Sequence, residues 1–294
     1  MPVVVVKVAK FIVVLLLPIL SGCISFPPTD GFIRRGPNYE KLAPEIRRIG
    51  IVTDVLLTHK SFRTNSLSIP DSLALGNHIM AATAQCLTNK GYEVVFSDGP
   101  LVGAVPVEER PMRWALEWRL LDAPSSIPEQ IPPALADDAP YRDALVKVTR
   151  RAFAAVAESA ELPTDTFRAA PTLQASLDLI AQRKGVQYLV VVVGDAVVVS
   201  PGLQVGQTVS TFAISTLFNT GTGDFSQSSQ MLSYVCVVNL TDGEVVWTNV
   251  GDIPRNPMKS LSLEKTCANW ATKQFYHFPS RVTELAPAPT KTRR

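Results

Sequence analysis

The chain is poor in the residues from which most reaction centres are built. Its 294 residues include three histidines and four cysteines. None falls at metal-ligand spacing, which excludes a zinc ribbon or a disulfide-dense scaffold. It lacks a basic excess as well: 28 Lys+Arg stand against 26 Asp+Glu, so no basic stripe marks a nucleic-acid binder. There is no Gly-x-Ser-x-Gly elbow, Walker loop or His-Glu-x-x-His pair, and no dinucleotide glycine fingerprint follows a strand. Gly221-Thr222-Gly223-Asp224 follows a Ser/Thr-rich stretch and reads as a turn. His59, His78 and His277 are scattered and read as surface or locally bonded residues. Asp54, placed at the end of a first strand, has two readings: a site carboxylate, since strand ends face ligand crevices in open sheets, or a turn-forming or capping residue, which is preferred. The expectation is a protein without catalytic residues, metal or dissociable cofactor.

What is present begins at the amino terminus. Lys7 and Lys10 precede the uncharged run Phe11–Leu20, then Ser21, Gly22 and Cys23. A basic start, about ten apolar residues and a small-residue end make a secretory signal, too short to span a membrane as a helix. The tetrapeptide Leu20-Ser21-Gly22-Cys23 resembles the lipobox of bacterial lipoproteins. The resemblance implies cleavage before Cys23, a diacylglycerol on its thiol and acylation of its amine, with sorting to the outer membrane because Asp is absent after the cysteine. One acyl chain binds membranes marginally and two or three hold firmly. Loss of residues 1–22 removes Lys7 and Lys10 and leaves the mature chain neutral, so its membrane attachment is covalent. Residues 23–45, rich in proline, read as a flexible tether with an r.m.s. reach of about 25 Å. Residues 279–294 have no apolar pattern and read as a disordered tail.

Between tether and tail runs a βα pattern, expected as a single α/β domain over 46–278. Arg48–Val55 reads as a first strand. A helix follows Pro70-Asp71-Ser72, with Leu73, Asn77, Met80, Ala84 and Leu87 at helical spacing, and stops at Asn89-Lys90-Gly91. Tyr92–Ser97 is a second strand. A second helix through Leu173, Leu177 and Ile180 stops at Lys184-Gly185, before the nearly uninterrupted apolar strand Tyr188–Val193, which suits a central strand covered on both faces. Two such units predict a mixed, partly parallel sheet flanked by helices. Met231–Leu240 and Glu244–Val250, joined through Thr241-Asp242-Gly243, predict a C-terminal hairpin, followed by a helix over about 260–275. Residues 101–170, with helical patterns at Met112–Leu121 and Tyr141–Ala160 broken by prolines, read as a helical insertion over one edge of the sheet. Cys86, Cys236 and Cys267 lie in apolar elements as small buried hydrophobes, with a Cys236–Cys267 disulfide as the alternative in a compartment that permits one.

The most unusual stretch carries no charge. Residues 196–223 hold no charged side chain, and Asp224 is the single one from Ala196 to Thr241. Within residues 201–230 lie Val205, Val209, Phe212, Ile214, Leu217 and Phe218. Neither strict alternation nor helical spacing orders them. Three readings stand: an excursion packed on its own domain, an exposed apolar contact for a partner or lipid, or a membrane-inserting hairpin of two strands of about ten residues.

The element order, with Ile49–Val55, Tyr188–Asp195 and Tyr234–Trp247 around Asp242-Gly243-Glu244 carrying the likeness, resembles the periplasmic domains of curli-secretion-channel lipoproteins and penicillin-binding-protein activator lipoproteins. That resemblance implies a protein without chemistry of its own, facing the periplasm, that docks on envelope proteins or assembles into rings. The expected function is an accessory or assembly lipoprotein, with the membrane and unidentified envelope proteins as partners, no nucleic acid, and the six apolar residues of the excursion as the contact. The alternative is a homo-oligomeric outer-membrane export channel whose wall is residues 201–230. The second candidate insertion, 101–170, is charged and proline-interrupted, which lowers the pore reading.

Overall fold

The computed structural model describes residues 33–61, 65–106, 109–110, 133–158, 173–200, 229–253, 256–258 and 263–282. In chain order the elements are β1 (Arg34–Arg35), α1 (Tyr39–Leu42) with a 3-10 turn (Ala43–Glu45), β2 (Arg48–Lys60), β3 (Asn65–Leu67), α2 (Ile69–Asn89), β4 (Glu93–Leu101), α3 (Pro133–Ala136), α4 (Ala139–Glu158), α5 (Gln174–Lys184), β5 (Tyr188–Val199), β6 (Gln230–Asn239), β7 (Val245–Ile253) and α6 (Leu263–Gln274). They build one open mixed sheet in the order β1-β7-β6-β5-β2-β3, with β4 also on β2. β2 runs parallel to both β4 and β5, and the other pairs are antiparallel. The expected α/β class and C-terminal hairpin are what the chain adopts.

Helices cover both faces, which is why the central strands carry apolar residues on both sides. Ile49, Ile51, Val55, Leu57, Val190, Val192, Val235 and Val237 face α2 and α6, where Leu75, Ile79, Cys267, Trp270 and Ala271 meet them. The alternate residues Val52, Leu189, Val191, Val193, Cys236 and Val238 face α4 and α5, against Leu145, Val148, Phe153, Leu177 and Ile180. Residue i on one face and i+1 on the other is the strand period of two, and β5 supplies both faces from a single valine run.

Local signals explain the helix ends. Ser68 caps α2 by accepting from Asp71 N, and Pro70 sits in its first turn; the helix therefore begins a little earlier than the Pro70-Asp71-Ser72 reading. α5 ends at Gly185, with φ 64 in the left-handed region and its N–H returned to Ala181 O, the conformation for which glycine carries no Cβ penalty.

Four features differ from expectation. β2 continues to Lys60 and β5 to Val199, paired residue for residue from Ile49↔Tyr188 to Lys60↔Val199; Asp54 and Asp195 interrupt the apolar pattern but not the ladder. The helical part of the insertion, α4, lies on the sheet's face rather than over an edge, with Phe153 edge-on to Tyr234 at 5.2 Å; Met112–Leu121 lies outside the described residues. The stretch 34–45, expected as the end of the tether, folds as β1, α1 and the 3-10 turn. Pro279 and Arg281, expected in the tail, are tied to the domain through Tyr92 Oη→Pro279 O at 2.8 Å and Arg281 N→Lys90 O at 2.6 Å.

Candidate functional site

The residues expected to carry function, Cys23 and the contact set Val205, Val209, Phe212, Ile214, Leu217 and Phe218, lie outside the described residues, as does Gly221–Asp224. The structure defines the points from which those segments leave. The uncharged excursion departs from β5 and returns to β6, neighbours whose ladder continues to Val197↔Gln230. Val199 N donates to Ser229 Oγ at 2.8 Å, and Ser200 N donates to Lys60 O at 2.9 Å. Both ends of the excursion are thus adjacent, at one end of the sheet, beside a small apolar group of Val197, Val199 and Leu232. His59 lies at the same end, with Nε2 2.7 Å from Asp71 Oδ2. That bond and the one from Ser68 Oγ hold the Asp71 carboxyl below its ordinary range.

The amino-terminal side is fastened along the opposite sheet edge. Arg34 and Arg35 pair with Thr248 and Trp247, and Gly36 N donates to Val246 O at 2.8 Å. The backbones approach closely here: a Cβ on Gly36 would lie 2.4 Å from Val245 O. Glu244, 2% exposed in the hairpin turn, accepts from Asn38 N at 3.1 Å and Asn38 Nδ2 at 2.7 Å. Tyr39, Ala43 and Ile46 then enter the core. Because β1 is antiparallel to β7, the chain enters it from the side of Ile253, the end of the sheet that also carries Val199 and Ser229.

A third arrangement was half visible in the sequence. Asp54 is neither at a strand end nor exposed; it is fully buried in mid-β2. Its Oδ1 accepts from Gly103 N at 3.0 Å, and its Oδ2 from Val105 N at 2.7 Å and Arg110 Nη2 at 2.6 Å. It caps the turn that follows β4, which agrees with the capping reading. Arg110, also fully buried, donates from Nη1 to Asp195 Oδ1 at 2.5 Å and Gly194 O at 3.2 Å, and from Nε to Val105 O at 3.0 Å. Burial pushes the Asp54 carboxyl upward, opposed by the guanidinium and the two amides, and the upward push prevails. Burial disfavours the charge on Arg110, and the two carboxylates more than compensate. Two Asp residues in apolar strands signal a buried cation, yet nothing in spacing singles out Arg110.

Among the described residues no cluster of three His, Cys, Asp or Glu could hold a metal, and no helix is long and apolar enough to cross a membrane. Cys86, Cys236 and Cys267 are free thiols. Cys236 belongs to the α4–α5 face and Cys267 to the α2–α6 face, so the sheet itself separates the pair the sequence left open. Burial pushes both thiols up to about 12. Native protein at pH 8 is therefore expected to leave Cys236 and Cys267 unmodified by a thiolate-selective reagent, because little thiolate forms and access is closed. Unfolded without reductant, all three free thiols react; a titre of a single thiol would contradict the separation.

No family model matches the chain, and no curated protein sequence matches it. Among solved structures, the PelC dodecamer from Paraburkholderia phytofirmans is similar over 85% of this chain and 98% of that one, at 11% identity and a TM-score of 0.33.

Proposed function

We propose that the chain is a lipid-anchored cell-envelope protein of the outer membrane that works without chemistry, docking envelope partners at the periplasmic membrane surface through residues 201–230. The observation that carries this reading is the lipobox-like Leu20-Ser21-Gly22-Cys23 set directly at the end of the Phe11–Leu20 run. The element-order likeness to envelope-docking lipoproteins agrees with it.

The way the domain is fastened supports a contact close to the bilayer. With Arg34–Glu45 inside the fold, only residues 23–32 remain as a leash. Ten residues span at most about 36 Å extended and about 18 Å r.m.s. if flexible. The strand they lead into is entered from the excursion end of the sheet. A leash that short, leading into β1 from that side, supports a docking contact at the end of the sheet where β5 ends and β6 begins. A protein built to reach far across the periplasm would need a longer one.

The second reading, a channel subunit with an inserted hairpin, is favoured by one observation: the β5–β6 ladder runs unbroken from Tyr188↔Asn239 to Val197↔Gln230, a few residues before the excursion. Strands continued from it by about ten residues would cross a bilayer. Full protease cleavage of the excursion in intact vesicles argues against insertion.

The docking reading is tested by Phe212→Asp together with Phe218→Asp. Two charges within an apolar contact are expected to abolish chemical crosslinks between the lipidated protein and its envelope partners, while thermal unfolding of the domain is unchanged. Crosslinks that survive both substitutions in a folded protein would remove this surface from consideration.

A further inference from the structure

Asp54, Arg110 and Asp195 place two carboxylates and one guanidinium inside the α4–α5 face, with side-chain exposures of 0%, 0% and 2%. With every group ionised, the cluster carries one uncompensated negative charge out of reach of water. Buried carboxylates in that position neutralise rather than remain charged. Arg110 cannot be the group that yields, since a guanidinium stays protonated and here donates to both carboxylates and two carbonyls.

Arg110 is the single cation paired with either carboxylate among the described residues. Tyr234 of β6 is the titratable group next to Asp195; burial, then the Asp195 charge, raise its phenol and keep it neutral. Glu109, next to Arg110 in the chain, turns outward to pair with Arg150 of α4. α4 otherwise meets this face with apolar side chains such as Val148 and Phe153. Asp195 Oδ2 is buried with no hydrogen-bond partner among the described residues, whereas both oxygens of Asp54 are occupied.

We propose that the Asp54–Arg110–Asp195 cluster holds one proton at neutral pH, and that this makes it a pH-sensitive rivet joining Arg110 and the turn after β4 to the centre of the sheet. Protonated once, the cluster is neutral. As pH rises the proton leaves and an unbalanced charge appears in the interior, which destabilises the fold around Arg110 and the Gly103–Val105 turn. The upward push of burial on Asp54 agrees in sign. A carboxyl whose proton is held more tightly in the folded state stabilises fully below its unfolded pKa, and that contribution is lost as pH rises through the folded value.

Infrared spectra of the full mature chain test this without any substitution. The expected result at pH 7 is the carbonyl stretch of a buried, protonated carboxylic acid, shifted in D2O and lost on alkaline titration. Asp54→Asn and Asp195→Asn each leave one carboxylate on one guanidinium, so each is expected to lack the band. In both, the cluster's own share of the pH dependence of the unfolding constant, up to about tenfold per pH unit in the parent protein, should be missing. Should the Asn variants not fold, the parent's band and its pH slope decide alone. Absence of the band from the parent at pH 7, or its persistence in either folded variant, overturns the proposal.

Discussion

Arg110→Met is expected to destabilise the domain by about 3–5 kcal/mol, because it strands two carboxylates that no other described cation reaches. Domains of this kind have about 5–15 kcal/mol in total, so urea denaturation should show either a large fall in midpoint or an unfolded protein. The loss comes from breaking a balanced set, not from any great net worth of the pair. Replacing all three members, Arg110→Met with Asp54→Leu and Asp195→Leu, removes the charges together and is expected to recover much of the deficit, as apolar replacements of buried ion sets do. Recovery will be incomplete, because the Asp54 carboxylate also caps Gly103 N and Val105 N. A midpoint for Arg110→Met within error of the parent would mean that the two carboxylates are compensated by something other than Arg110.

Cys23→Ala is expected to have the largest effect on location. The mature chain is electrically neutral once residues 1–22 are removed, and a neutral domain has no electrostatic hold on anionic lipid. On the proposed function covalent lipid is the main attachment, and two or three acyl chains at roughly 0.8 kcal/mol per buried methylene would make release negligible. Without the thiol, membrane fractionation after secretion should move the protein from the envelope pellet to the soluble periplasmic fraction, its folding unaffected. Retention of Cys23→Ala in a pellet washed with carbonate would shift the anchoring role to residues 201–230, and the channel reading would gain accordingly.

How much of this was legible depends on whether an element's position is set by its own residues. Tyr188–Val193 announces a central strand because six successive apolar residues can be buried only if both faces are covered. Lys184-Gly185 and Asp242-Gly243 mark their turns because glycine alone enters the left-handed region freely. The apolar pattern of β2 and β5 breaks at Asp54 and Asp195, so both strands look shorter in sequence than they are; what keeps the two carboxylates inside is Arg110, 56 and 85 residues away in the chain. β1 was unreadable for a related reason. Two arginines have no strand pattern of their own, and their place comes from backbone pairing with Trp247 and Thr248. The tether therefore looks longer in sequence than in the fold, where residues 34–45 belong to the domain. The excursion's role was legible only as composition, since its lack of charge has no periodicity to fix a conformation.

The proposed function has a short leash holding the excursion end of the sheet against the membrane. It is tested most directly by fluorescence quenching in vesicles containing headgroup-quencher lipids, using lipidated protein labelled either at Ser200 or at Asp242. These positions mark opposite ends of a sheet whose central strand has 12 residues, roughly 40 Å at about 3.3 Å per residue. Strong quenching is expected at 200 and little at 242. Equal quenching, or the reverse order, would contradict it.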